Sequence, residues 1–229
     1  MKTALPEYDV LTCQEKSYDE IRRKLIDGEI PQGSKLVARK LAKEFGFSYI
    51  PVRDSLMKLQ SEGLVVSIPR WGFMAKKYSS RDVKELYEMR EAVECQAVRM
   101  LAINYKTVDM TVCLKSFEEL DEINLNGQEM DIKEFISAER QIDEKFHRGI
   151  LAATGNRRFE DVWSNLHFQN ICMVPSDSND KARDLNITLE HHKQILDAIM
   201  GGDVDLAEGT MRKHISSAKV NLLEYYLER

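Results

Sequence analysis

The chain has 229 residues, yet its uninterrupted apolar runs are short, such as Leu64-Val65-Val66. A membrane-spanning helix needs about 20 consecutive apolar residues, so no membrane association is expected. Cysteine is also scarce. The four cysteines, at 13, 95, 113 and 172, include no Cys-x-x-Cys pair, which argues against a disulfide framework and against a thiolate zinc site. The opening residues Met1-Lys2-Thr3-Ala4-Leu5-Pro6-Glu7 lead into no apolar segment of secretory type. A cytoplasmic location is the resulting expectation.

The chain also lacks a basic excess. Its net charge is −5, which looks wrong for a partner as acidic as DNA until the chain is divided. Residues 1–80 carry 14 Lys/Arg against 10 Asp/Glu, whereas residues 81–229 carry 19 against 28. Within 35–77 there are nine basic residues and three acidic ones. A basic head on an acidic body is the footprint of a protein that touches phosphates with one end.

Periodicity gives this head a form. Ser17-Tyr18-Asp19-Glu20 has the pattern of a capping box, with Ile21, Leu25 and Ile26 following on one face and Gly28 closing the helix. Pro31-Gln32-Gly33 marks a turn. A second helix is expected from about Val37 to Phe45, with Leu41, Ala42 and Phe45 inward and Gly46 at its end. A third runs from Ser48, placed to cap it, through Val52, Leu56 and Leu59 to Gly63, with Pro51 in its first turn. Two short helices joined by a tight glycine turn form the arrangement that enters a major groove. After Gly63 the period changes. Leu64 to Ile68 and Phe73 to Ala75 flank Pro69-Arg70-Trp71-Gly72 as a hairpin, a wing carrying Arg70, Trp71, Lys76 and Lys77.

The runs Ile26 to Leu36, Leu41-Ala42, Ser48-Tyr49-Ile50-Pro51-Val52-Arg53-Asp54-Ser55-Leu56, and Leu59 with Glu62 to Val65 resemble the GntR-family winged helix. The resemblance implies that residues 10–78 are a winged helix-turn-helix domain that binds double-stranded operator DNA. It implies DNA contacts for Arg39, Ser48, Tyr49, Pro51 and Arg53, and for Arg70, Trp71 and Gly72 in the wing. One departure stands out: where the family has Arg-Thr, this chain has Tyr49-Ile50. Arginine reads guanine O6 and N7 bidentately and tyrosine does not. The operator therefore differs at that step, or Tyr49 contacts a phosphate or a thymine methyl, or else Tyr49 and Ile50 simply pack at the helix entry.

From Ser80 the pattern is helical throughout, with helices expected at about 80–103, 107–125, 131–153, 157–173, 183–200 and 204–227. The breaks are Lys106-Thr107, Asn126-Gly127, Thr154-Gly155-Asn156, the polar run from Pro175 to Asp180, and Gly201-Gly202-Asp203. Six helices in this length make an antiparallel bundle, so the fold class is mainly α, a winged helix followed by an all-α bundle.

Three of the five histidines fall in a telling arrangement. Asp143 and His147 lie one turn apart on one helix face. His192 sits nine residues before Gly201 and His214 twelve after Gly202, on two helices that a tight turn makes antiparallel neighbours. At about 1.5 Å of rise per residue the two reach nearly the same level. A carboxylate and three imidazoles converging in a core suit a divalent transition metal.

The segments Leu86 to Glu94, Asp143-x-x-Phe146-His147, Thr154-Gly155-Asn156, His192-x-x-Ile195-Leu196-Asp197-Ala198-Ile199, Gly202-Asp203 and Met211-Arg212-x-His214 resemble the FCD effector domain of FadR-type GntR regulators. That resemblance implies that residues 79–229 bind a metal and an effector and form a homodimer. Its metal ligands are Asp143, His147, His192 and His214, and the register with Ile195 to Ile199 favours His192 over His191. The ion is expected to be zinc first, with nickel, manganese or iron as alternatives. Four protein ligands leave one or two positions for water or the carboxylate of a small metabolite. Arg90 is the second candidate contact for that acid, or pairs with Glu94, four residues on. His167 lines the cavity or has a surface or core role.

A non-enzymatic, ligand-responsive regulator follows, a repressor that binds a palindromic operator as a dimer. The competing reading is a metal-dependent hydrolase or isomerase with an accessory head. Such an enzyme normally keeps three ligands, an open water site and a nearby acid or base, and no further carboxylate is tied to the four by sequence.

Overall fold

The computed structural model describes residues 12–126, 131–166 and 185–227. The chain divides into two compact units, 1–77 and 78–229.

The first unit begins with α1 (Cys13–Ile26), whose N-cap is Thr12. Thr12 Oγ1 accepts from the Glu15 N–H at 3.2 Å, and the Glu15 carboxylate accepts from the Thr12 N–H at 2.6 Å. The capping box therefore sits one turn and more before the expected Ser17-x-x-Glu20. Ser17 is instead fully buried inside the helix, sharing a 2.7 Å hydrogen bond between its Oγ and that of Ser55. Ser55 lies on α3 (Tyr49–Ser61), so the pair pins α1 to α3. Between them, α2 (Ala38–Phe45) buries Leu41 and Ala42, while Phe45 is only half-buried. Ser48 is the N-cap of α3, but by backbone conformation alone: its side chain makes no capping bond.

Two strands were legible and one was not. β2 (Val65–Ile68) and β3 (Gly72–Ala75) pair antiparallel, Val65 opposite Ala75 and Ile68 opposite Gly72. The two-residue β1 (Lys35–Leu36) adds to the other edge of β3, with Lys35 opposite Met74. At the hairpin tip the Trp71 N–H donates to the Ile68 carbonyl at 3.0 Å, and Arg70 takes a φ of 65°. Ile21, Leu25, Leu36, Val52, Leu56, Leu59, Leu64 and Ala75 close the core beneath the sheet.

The second unit is all helix among the described residues: α4 (Ser80–Ile103), α5 (Thr111–Asn126), α6 (Ile132–Ala153), α7 (Arg157–Leu166), α8 (Leu185–Met200) and α9 (Val204–Leu227). α5 starts four residues later than expected. The Thr107 N–H donates to the Asn104 carbonyl, and the Asp109 carboxylate takes the Thr111 N–H, so a turn fills the interval. The expected stretch 167–173 of the fourth helix, His167 with it, lies outside the described residues. α4 packs along α9 and also meets α6, α7 and α8, α5 lies on α6, and α8 lies on α9. None of the described helices is long and apolar enough to cross a membrane.

The α8–α9 turn places two of the expected ligands. Gly202 has a φ of 71°, and a Cβ there would stand 2.8 Å from the Tyr105 ring. The Asp203 N–H reaches back to the Ala198 carbonyl at 3.0 Å, and the Asp203 carboxylate accepts from the Leu206 N–H at 3.0 Å. One aspartate thus closes α8 and caps α9, fixing the register between them.

Gly46, in the turn between α2 and α3, has a φ of 72° and open space around its missing Cβ. Gly46→Ala therefore isolates the left-handed backbone cost, about 1–2 kcal/mol. Urea unfolding of the full chain, followed by amide exchange in residues 12–77, should show that loss in the first unit and none in the second.

Candidate metal centre and nucleic-acid interface

Asp143 and His147 leave α6 on one face, His192 comes from α8 and His214 from α9. One ligand atom from each of the four lies within 4.8 Å of all the others. Asp143 Oδ1 is 3.7 Å from His147 Nε2 and 3.4 Å from His192 Nε2, and His214 Nε2 is 3.1 Å from His147 Nε2. His192 and His214 lie at one level, as the spacing around Gly202 implies, and Asp143 and His147 join them from α6. His191 is buried too, but its ring stands edge-on to His214 at 5.7 Å and is not one of the four.

Aromatic packing sets the ring planes. Phe146, next to His147 in sequence, stacks on His192 at 3.8 Å and 7°. Trp163 of α7, itself buried, faces His147 at 6.1 Å, and the His147 and His214 rings stack at 5.0 Å.

Burial pushes His192 down to about 4, and burial with the imidazoles of His192 and His147 holds His214 well below the ordinary histidine range. Both rings are therefore neutral and carry a lone pair. His147 is different. Burial and Arg90 oppose its proton, yet the carboxylates of Glu94 and Asp143 outweigh them and raise it.

Glu94 is the residue that sequence reasoning missed as part of this site. No carboxylate beyond Asp143 is tied to the four by sequence, and the fold supplies one. Glu94 is fully buried on α4, with Oε2 2.5 Å from His147 Nδ1 and Oε1 accepting from Arg90 Nε at 2.5 Å. Burial favours its neutral form, but Arg90 and then His147 hold it below the usual carboxylate range. The Arg90–Glu94 pair considered for sequence positions four apart is present, and Arg90 is 1% exposed. Its guanidinium carbon lies 5.3 Å from the Trp163 ring centroid and 5.8 Å from that of Tyr87. The link from Glu94 to His147 spans 53 residues, and no local pattern signals it. Nothing in the sequence singles out Trp163 either.

A metal ion fits this donor set. Three imidazoles and one carboxylate converge, His192 is fully buried with neither ring nitrogen hydrogen-bonded, and the contact from Nδ1 to Glu94 leaves His147 Nε2 for the cluster. Buried ring nitrogens without hydrogen bonds are costly unless something else takes the lone pair.

The first unit presents its expected DNA-facing residues on the surface. Arg39 on α2 and Arg53 on α3 are exposed, as are Ser48 before α3 and Arg70, Trp71 and Gly72 in the hairpin; Pro51 is half-buried. Tyr49 is 46% and Ile50 68% exposed. The Arg39 guanidinium carbon lies 5.9 Å from the Tyr49 ring centroid, and Lys35 Nζ lies 4.5 Å from that of Trp71.

Replacing Arg90 alone would strand the Glu94 carboxylate in the core. Arg90→Met should lower stability by about 3–5 kcal/mol, and adding Glu94→Leu should restore most of it, because the uncompensated charge goes with it. Urea midpoints of the full chain measure both.

Comparison with known proteins bears on both units. Residues 14–74 match the family model described as bacterial regulatory proteins, gntR family, and residues 85–217 match the FCD domain. A Streptomyces ambofaciens protein named as an HTH-type transcriptional regulator in an unstable DNA locus is 28% identical over 206 residues, 86% of this chain and 80% of its own. A Paenarthrobacter nicotinovorans protein named "Probable D-xylose utilization operon transcriptional repressor" is 28% identical over 199 residues, 87% of this chain and 84% of its own. Among solved structures, a transcriptional regulator GntR from Rhodococcus sp. RHA1 superposes with a TM-score of 0.75 at 20% identity, covering 93% of this chain and 98% of that one. E. coli McbR/YncC superposes with a TM-score of 0.73 at 18% identity, over 95% of this chain and 100% of that one. These two likenesses establish the shared fold.

Proposed function

The chain belongs to the gntR family of bacterial regulatory proteins, in the branch that carries an FCD domain, and on that premise we propose that it is a cytoplasmic repressor. It binds a palindromic operator as a homodimer and is controlled by a small carboxylate-bearing metabolite held at a metal site. The observation that carries this reading is the convergence of Asp143, His147, His192 and His214 within 4.8 Å.

A bound divalent ion, zinc first among the candidates, would supply Lewis-acid attraction for an anionic oxygen. The chain's own groups favour an acid as the effector. With the imidazoles neutral, as a bound metal requires, Asp143, Glu94 and Arg90 leave one net negative charge, which a divalent cation turns into one net positive charge. A buried positive site takes an anion. Arg90 is the second contact for that acid, aimed from Glu94 and set between Tyr87 and Trp163. Occupancy alters operator affinity only through the difference in effector affinity between the DNA-bound and free states.

In the head, Arg53 reads base edges from the first turns of α3, with Ser48, Tyr49 and Pro51 beside it. Arg39 supports it from α2, and Arg70, Trp71 and Gly72 bring the wing to the backbone. The enzyme alternative loses ground to the geometry of Glu94. Both its oxygens are engaged behind His147 and Arg90, so it does not serve as a base at the open side of the cluster.

Two measurements test this. Metal analysis and calorimetry of the full chain should give one divalent ion per protomer, with small organic acids binding the loaded form and not the chelated one. Asp143→Ala with His192→Ala should abolish both. Unchanged metal content in that double variant would overturn the site. Duplexes selected from a random pool by the full chain should be palindromic, and Arg53→Ala should weaken binding to them by about 1–3 kcal/mol, read by fluorescence anisotropy.

A further inference from the structure

Glu94 is not one of the four residues whose ligand atoms converge, and it meets His147 at Nδ1, the ring nitrogen other than the one facing Asp143 and His214. Its two oxygens serve two different groups: Oε2 meets His147 Nδ1 and Oε1 meets Arg90 Nε, each at 2.5 Å, with all three residues no more than 1% exposed. An ionised carboxylate only accepts hydrogen bonds. Nδ1 of the His147 ring therefore carries a proton, and Nε2 is the nitrogen that faces Asp143 and His214. His192 offers the contrast, since neither of its ring nitrogens is hydrogen-bonded and its plane is set by the stack on Phe146.

We infer that Glu94 is the positioning residue of this site, fixing His147 as the Nδ1–H tautomer with one oxygen and aiming Arg90 with the other. The inference rests on the metal-site reading above and extends it to a coupling. One carboxylate orients a metal ligand and the candidate anion contact, so displacing it disturbs both. An outer carboxylate on a ligating imidazole generally governs affinity by 10–100-fold.

Glu94→Ala alone would leave the Arg90 cation buried without its partner and confound folding with function. A pair of double variants avoids this. Arg90→Met with Glu94→Gln removes both charges but keeps a carbonyl able to accept from His147 Nδ1–H. Arg90→Met with Glu94→Leu removes the acceptor as well. Zinc and cobalt(II) affinities of the full chain are read by competition with a chromophoric chelator, and the His147 tautomer by long-range proton–nitrogen correlation on histidine-labelled, metal-free protein. The glutamine variant should hold metal within a few-fold of wild type and keep the Nδ1–H form. The leucine variant should bind about 10–100-fold more weakly and show mixed tautomers, with a urea midpoint close to that of the glutamine variant. Equal metal affinity and equal tautomer populations in the two variants would overturn the role assigned to Glu94. A wild-type chain that binds no metal would instead overturn the underlying site, while the metal-free tautomer measurement would still decide whether Glu94 holds His147.

Discussion

The Glu94 carboxylate, enclosed between the guanidinium of Arg90 and the ring of His147, constrains much of the second unit. A helical bundle normally buries apolar side chains, and here its centre holds two ionised groups, three imidazoles and the partly covered Asp143. Each buried charge is tolerable only next to its opposite. Arg90 and Glu94 satisfy this within one helix, at a separation of four residues. α4 must then turn that face towards α6, because the remaining oxygen of Glu94 needs the His147 N–H. The aromatic residues follow from the same constraint: Tyr87 and Trp163 line the guanidinium, and Phe146 stacks against His192. Polar and aromatic groups together fix which faces of α4, α6, α7 and α8 meet.

The first unit solves a different problem with different means. Its core is apolar apart from the buried Ser17–Ser55 pair, and basic side chains outnumber acidic ones threefold over 35–77. A DNA-binding unit gains from a cationic surface because it neutralises phosphates. Tyr49 and Ile50 are the exception to the polar surface, at 46% and 68% exposure. Apolar side chains at the start of a groove-facing helix complement a thymine methyl rather than a guanine edge. On the proposed reading, this chain's sequence preference differs from that of a winged helix with an arginine at the first of these positions.

How far the sequence anticipates the structure depends on the range of the interaction. The α4 boundaries, the α8–α9 turn and the convergence of His192 with His214 are local or nearly so, fixed by caps, glycine and rise per residue, and they are legible. Ser17 shows where a local pattern misleads. Its Ser-x-x-Glu spacing mimics a capping box, but the Thr12 box starts the helix earlier, and Ser17 belongs to a buried bond with Ser55. The two residues of β1 carry no periodicity and exist only because β3 offers them an edge. Glu94 is legible as the partner of Arg90 and not as the partner of His147, because the second contact depends on how α4 and α6 pack.

The same contact bears on why such a cluster persists in a core at all. Burial disfavours charge on His192 and His214, and neither ring nitrogen of the buried His192 meets a hydrogen-bond partner. An arrangement of this kind contributes little to folding by itself. It becomes favourable when a cation takes the lone pairs, since ligand binding to the folded state alone adds its own free energy to stability. On the proposed reading, metal and fold are therefore linked, and so are metal and effector. By reciprocity, an acid that binds the loaded site more tightly must in turn tighten the hold on the metal. Glu94 is where these linkages meet, because the group that orients His147 is the group that orients Arg90.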